Sequence, residues 1–373
     1  MTVIDYELEI NSMPMYKRFN FISSITDENI QASLLSFLDD SYAAKIIESF
    51  KDESLVVQTL FLLKPSSTKL RIVKNLSDDS EKFKYLGEFS EYDKVELLRT
   101  FNDDSLKLSS LSMLDSVYRK LDVVKLIKDV DVLDKALPVL EEYNRVDIIN
   151  SRDKDSDKEF LLKHLSKDNN ISKVLSGFAS DDEKIRLLNT IKTDNYKAEV
   201  LLSISSEDQR LSALGLLKEA YTISNVIDSF TDEANIIQAL PYLNKSYHCK
   251  KHIKKITDDN VKVTLLDYVD EYERVDIILS FDSDELKYKG LLTIDSDYRK
   301  DSILLSITDL KYLSLGLSTY KSDWNKKGFV SSLEDENIRV QLLSHFSNDS
   351  DKADIIKGLS DEVLKIGCLD LLK

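Results

Sequence analysis

An aromatic residue returns every 25 or 26 positions along this chain, and that recurrence limits what it can fold into. Tyr42, Tyr92, Tyr118, Tyr143, Tyr196, Tyr221, Tyr247, Tyr272, Tyr298 and Trp324 are separated by 50, 26, 25, 53, 25, 26, 25, 26 and 26 residues, the two long gaps being double periods. Nine of the 17 tyrosines stand in this one column. A fixed period of this length marks a repeat architecture. Two kinds of segment alternate within it. One is acidic at its start, as in Ser180–Leu188 and Glu334–Leu343, and is termed helix A; the other is led by the aromatic, as in Tyr272–Phe281, and is termed helix B.

Large apolar residues recur in these segments at i, i+1 and i+4: Ile46, Ile47, Phe50; Leu97, Leu98, Phe101; Val226, Ile227, Phe230; Leu342, Leu343, Phe346. That spacing gathers three side chains on one stripe of a helix. The breaks carry capping residues, as in Thr26-Asp27-Glu28, Ser77-Asp78-Asp79, Asn102-Asp103-Asp104 and Asp258-Asp259-Asn260,. Helices of about ten residues are marginal alone in water, so each must bury its stripe against neighbours. The expected fold is therefore all-α: a right-handed α-α superhelix, or solenoid, of about 13 short hairpins. It is expected to run without interruption over residues 20–373, with 1–19 as an N-terminal extension or cap. The alternation Tyr6-Glu7-Leu8-Glu9-Ile10 suggests that this cap is extended.

Composition agrees. The chain has only 8 Gly and 4 Pro in 373 residues, so little interrupts helix, and a hydrophobic fraction of 42% excludes wholesale disorder,. No apolar run approaches the roughly 18–20 residues of a membrane span, and Met1–Ile10 is too acidic for a signal peptide,. Two cysteines, Cys249 and Cys368, build no disulfide framework, which points to a reducing, cytoplasmic setting,. A net charge of −16 opposes non-specific contact with nucleic acid,.

The stacked hairpins resemble the α-solenoid superfamily of HEAT and armadillo-type repeats, in architecture alone and with an unusually short period. Pro138 and Pro241 share a register (ALPVL, ALPYL) inside helix A. The resemblance implies a non-enzymatic scaffold or adaptor that binds protein partners along an extended face, without a cofactor.

The candidate residues follow from the columns. Tyr92, Tyr118, Tyr143, Tyr196, Tyr247, Tyr272, Tyr298 and Trp324 either fill the seam between repeats or meet a partner, and periodicity alone favours seam-filling,. Arg119, Arg145, Arg274 and Arg299 belong to a basic column just behind the aromatics. Cations near a helix N-terminus oppose the helix dipole, so an ion-pair ladder with Asp122, Asp147, Asp276 and Asp354, and with the acidic turns of the next hairpin, is expected to offset them. The other use of both columns is a nucleic-acid track, disfavoured by the net charge. His248, Lys250, Lys251, His252, Lys254 and Lys255 form one basic patch, read as a solvated docking surface. His248 and His252 have the i, i+4 spacing that can share a metal, but no further ligand motif accompanies them. Cys368 reads as a buried small hydrophobe.

Catalysis finds little support: 4 histidines, and no GxSxG, P-loop or glycine-rich phosphate cradle,. The carboxylates at helix starts are explained by capping. The last helix, Glu362–Lys373, breaks off in mid-pattern, so self-association through it is a further expectation.

Overall fold

A computed structural model describes residues 3–244 and 247–372, with side chains from residue 6 onward. Among the described residues it contains 29 α-helices and no strand. No described helix is long and apolar enough to cross a membrane. The chain divides into two compact units, Met1–Val174 and Leu175–Lys373.

Both units are built in the same way. Helix A is short, such as Asp104–Ser110 or Glu207–Ala213, and usually closes with a single 3-10 turn, such as Leu111–Met113 or Leu214–Leu216. Helix B, such as Glu91–Leu98 or Asp297–Leu304, follows directly. Like helices then lie side by side. In the first unit Glu91–Leu98 packs on Val117–Val124, and Asp104–Ser110 on Val130–Ala136; in the second, Asp194–Leu202 packs on Ala220–Ile227, and Asp284–Leu291 on Leu310–Leu317. This is an all-α helical repeat. Every residue of the apolar triplets is buried, with Ile47, Leu97, Leu98, Val226 and Ile227 wholly shielded from water.

Where two layers must approach closely, glycine makes room. A Cβ on Gly316 would lie 2.4 Å from Leu304, and one on Gly290 would lie 2.6 Å from Ile278.

The acidic turns cap their own helices and also reach the backbone of the next hairpin. In Thr26-Asp27-Glu28 the Asp27 carboxylate caps its own helix at the amides of Asn29 and Ile30. Glu28 instead accepts from the amides of Lys51 and Asp52, which begin the next helix A. The arrangement recurs: Glu53 to Ser77, Asp104 to Lys128 and Asp129, and Glu142 to Ser166 and Lys167 in the first unit; Glu207 to Thr231, Asp284 to Thr308 and Asp297 to Lys321 in the second. Capping alone therefore does not account for these carboxylates. In these cases the residue at the first helical position ties its hairpin to the following one.

Two further expectations are corrected. Residues Val3–Asn11 are helical rather than extended, and the expected boundary at residue 20 falls inside a second helix, Met15–Ser24. The pattern Tyr6-Glu7-Leu8-Glu9-Ile10 also sets Tyr6 and Ile10 at i, i+4. Ile10 is fully buried, and the Tyr6 ring meets Phe21 edge-on at 5.9 Å, so the helical period prevails. Pro138 and Pro241 lie just beyond helix A, in the 3-10 turns Leu137–Val139 and Leu240–Leu243. At the start of such a turn a missing amide hydrogen costs little.

Candidate partner-binding face

Helix B sorts its residues by angle. In Asp297–Leu304 the buried residues are Asp297, Lys300, Ile303 and Leu304, whereas Tyr298, Ser302 and Leu305 fall on the opposite side. The aromatic at the second helical position is thereby turned outward. Tyr92, Tyr118, Tyr143, Tyr221, Tyr247, Tyr272, Tyr298 and Trp324 are between 59% and 85% exposed. Only Tyr42 and Tyr196 in this column are half-buried; Tyr42 stacks on Phe19 with ring centroids 4.8 Å apart. Seam-filling is therefore not the work of these tyrosines. Leu, Ile and Phe of the triplets fill the seam, and the aromatic column lines the outside of the B layer in each unit.

The basic column separates into two sets. Arg145 and Arg274 point inward, donating to the carbonyls of His164 at 2.9 Å and Thr293 at 2.7 Å. Lys94, Lys197 and Lys300 do the same with Met113, Leu216 and Thr319. Each of these cations stands near the start of its own helix but meets a carbonyl at the C-terminal end of the next, where the dipole welcomes positive charge. That contact offsets the unfavourable placement noted from the sequence. The expected ladder with the aspartate column is realised only in places, as in Lys250 with Asp276 and Lys327 with Asp354 at 3.1 Å. Arg119 and Arg299 form the second set. Arg119 lies 5.4 Å from the Tyr92 ring centroid and 3.3 Å from Asp122; Arg299 lies 6.0 Å from the Tyr272 ring.

These two contacts belong to a rule that sequence reasoning missed. At three places the residue after an aromatic faces the aromatic of the preceding helix B, 27 positions earlier. Tyr92 receives Arg119, Tyr272 receives Arg299, and Tyr221 receives His248 edge-on at 6.1 Å. The period itself carried the signal, one step off the column.

Two grooves lie on the outer face of the second unit. A groove of about 600 Å³ between Glu271–Ile278 and Asp297–Leu304 is lined by Tyr272, Val275, Asp276, Tyr298, Arg299 and Leu305, among others. A smaller one, about 190 Å³, lies between Asp297–Leu304 and Asp323–Ser332, against Tyr298, Asp301, Trp324, Asn325, Gly328 and Phe329. Tyr298 stands between the two.

The basic patch does not form one solvated surface. His252 is wholly buried, its Nε2 2.8 Å from Ser224 Oγ, and burial lowers its pKa to about 4. Lys251 and Lys255 both pair with Asp228, and Lys250 pairs with Asp276. His248 turns to the rings of Tyr221 and Tyr247, while Lys254 is exposed. The i, i+4 histidines thus face different surroundings, because the inward stripe of this helix takes Cys249, His252 and Ile253. Among the described residues no group of three His, Cys, Asp or Glu side chains is gathered tightly enough to hold a metal. Cys249 and Cys368 are both buried, and burial pushes the Cys368 thiol upward. On the last helix, Glu362–Gly367, and its closing turn, Val363, Ile366, Leu369 and Leu371 are exposed.

Neither a protein-family model nor a curated protein matches this chain.

Proposed function

We propose that this chain is a non-enzymatic protein-binding scaffold of the HEAT and armadillo-like kind, working in a reducing, cytoplasmic setting through the outer face of its B helices. One observation carries the reading: eight of the ten aromatics in the most regular column of the sequence stand exposed near the start of helix B. Exposed Tyr and Trp in a row are costly to leave in water and are the residue types that anchor protein interfaces. The exposed apolar residues Val363, Ile366, Leu369 and Leu371 add a second surface through which copies can associate.

The test uses the purified full chain as bait in an extract of the cells that make it. A parallel bait carries Tyr272→Ser, Tyr298→Ser and Trp324→Ser. At least one protein is expected to be retained by the first and lost from the second, and then to bind the first when purified. Identical retention by both baits overturns the reading. Light scattering of the chain with and without residues 362–373 tests self-association, which an unchanged monomer in both would exclude.

Nucleic acid is the second reading, favoured by Arg119 and Arg299 stacked on exposed tyrosines. Most other members of the basic column are committed to backbone carbonyls or carboxylates, and the net charge is −16. Oligonucleotide binding at physiological salt with a steep salt dependence would promote this reading above the first.

A further inference from the structure

We infer that the groove between Tyr298 and Trp324 receives an arginine side chain from a protein partner. The inference rests on the scaffold reading and names the chemistry of one of its contacts. The chain itself supplies the precedent. At Tyr92 and Tyr272 the guanidinium of Arg119 or Arg299, 27 residues further on, lies over the outward ring. At Tyr298 the corresponding residue is Asn325, and its side chain turns away to donate to Asp297 at 3.2 Å. Tyr298 is left 85% exposed, and among the described residues no cation lies over its ring.

What surrounds that ring suits a cation. Trp324, 77% exposed, supplies the aromatic face with the strongest attraction for one,. Asp301 lines the groove, accepts a hydrogen bond from the Tyr320 hydroxyl and, among the described residues, enters no ion pair. Gly328 also lines the groove, where a Cβ would face open space. The nearby lysines are committed elsewhere, Lys326 to Asp323 at 3.0 Å and Lys327 to Asp351 at 2.9 Å. A planar guanidinium can lie against a ring and still donate to a carboxylate beside it, which an ammonium does less well. The charge of −16 favours a basic segment over an acidic one,.

Trp324 is the only tryptophan, so its fluorescence reports on this groove directly. The full chain is titrated with the blocked peptide Gly-Gly-Arg-Gly-Gly and with its citrulline counterpart, which keeps the shape and loses the charge. A saturable change in emission is expected with arginine, and binding roughly tenfold weaker with citrulline. Asp301→Asn is expected to weaken the arginine response by a similar factor. Asn325→Arg supplies the missing cation from within: Trp324 emission is expected to shift without peptide and the response to vanish. Equal responses to the two peptides overturn the inference, as does an Asn325→Arg variant that responds like the wild type. Self-association abolished by Asn325→Arg would make a second copy the occupant and equally overturn it. A partner retained through Tyr272, Tyr298 and Trp324, with no arginine response, would leave the scaffold reading standing and sink this one alone.

Discussion

The Glu207 carboxylate accepts a 2.8 Å hydrogen bond from the backbone amide of Thr231, 24 residues further along the chain. It also accepts from the Thr231 hydroxyl at 2.7 Å and from the Asp232 amide at 3.2 Å. Burial opposes its ionisation, but these bonds and a contact from Asn235 outweigh burial and lower its pKa to about 2. Glu142 is held at about 2 by the same balance of burial against bonds from Asn170, Lys167 and Ser166. A carboxyl whose pKa is depressed on folding stabilises the native state above its unfolded value of 4.5 and loses that contribution as pH falls toward 2,. The thermal midpoint, followed by circular dichroism, is therefore expected to drop steeply between pH 4.5 and 2. Glu207→Gln is expected to cost about 1 kcal/mol at pH 7, with the two curves converging near pH 2. A constant gap across that range would mean that the carboxylate charge is irrelevant to the tie.

Lys300 completes the same device from the other side. Its Nζ, on a side chain only 3% exposed, donates to the Thr319 carbonyl at 2.7 Å and lies 3.3 Å from Asp297. Asp297 in turn accepts from the amides of Lys321 and Ser322, both at 3.0 Å. Acid and base together grip the turn from 319 to 322. Lys300→Met takes the donor from a partly buried carbonyl and the counter-charge from buried Asp297, and is expected to lower stability by roughly 1–3 kcal/mol in urea unfolding,. Lys327→Met, which removes a more exposed pair with Asp351 and Asp354, is expected to cost clearly less than Lys300→Met. Equal losses would place the grip outside the turn.

The helical repeat was legible because burial enforces a period. Ile46, Ile47 and Phe50 recur in kind along the chain, and nothing but a stripe on stacked helices explains them. The tie through Glu207 was hidden in plain view: an acid-x-x-base spacing reads locally as a capped helix start with an i, i+3 pair, and only the fold brings Thr231 to it. The aromatic column misled for a related reason. A strict period records where a residue stands in the repeat and says nothing of which way it points, so Tyr298 scanned as seam material although the stripe of Lys300, Ile303 and Leu304 already filled the inward side. Likewise, His248 and His252 share a helix face by spacing, but packing draws only His252 inward.

The outward ladder makes a prediction opposite to that of a seam. Tyr298→Ser and Trp324→Ser are each expected to change stability by no more than about 0.5 kcal/mol, the usual range for surface positions. Phe281→Ala, at a position 2% exposed, is expected to cost about 3–5 kcal/mol. Chemical unfolding of the three variants measures both. A loss at Tyr298 approaching that at Phe281 would return the aromatics to the core and remove the ground for a binding face.

His252 carries the last prediction. The ring is fully buried, its Nε2 bonded to Ser224 and its Nδ1 3.9 Å from Asp228, without a hydrogen-bond partner among the described residues. Burial lowers its pKa to about 4; Asp228 opposes this, while Lys255, Lys251 and His248 reinforce it. Above the unfolded value of 6.5 both states hold a neutral ring and no difference arises. As pH falls from 6.5 toward 4 the unfolded chain takes up a proton that the native chain refuses, so stability declines through that window. The decline is expected to be on the order of 2–3 kcal/mol. His252→Gln, which can still bond Ser224, is expected to remove it. In the wild type, the His252 imidazole resonances are expected to titrate near pH 4 rather than 6.5. Titration near 6.5, or an unchanged pH slope in the variant, would mean that water reaches the ring and that the packing around Ser224 is looser than described.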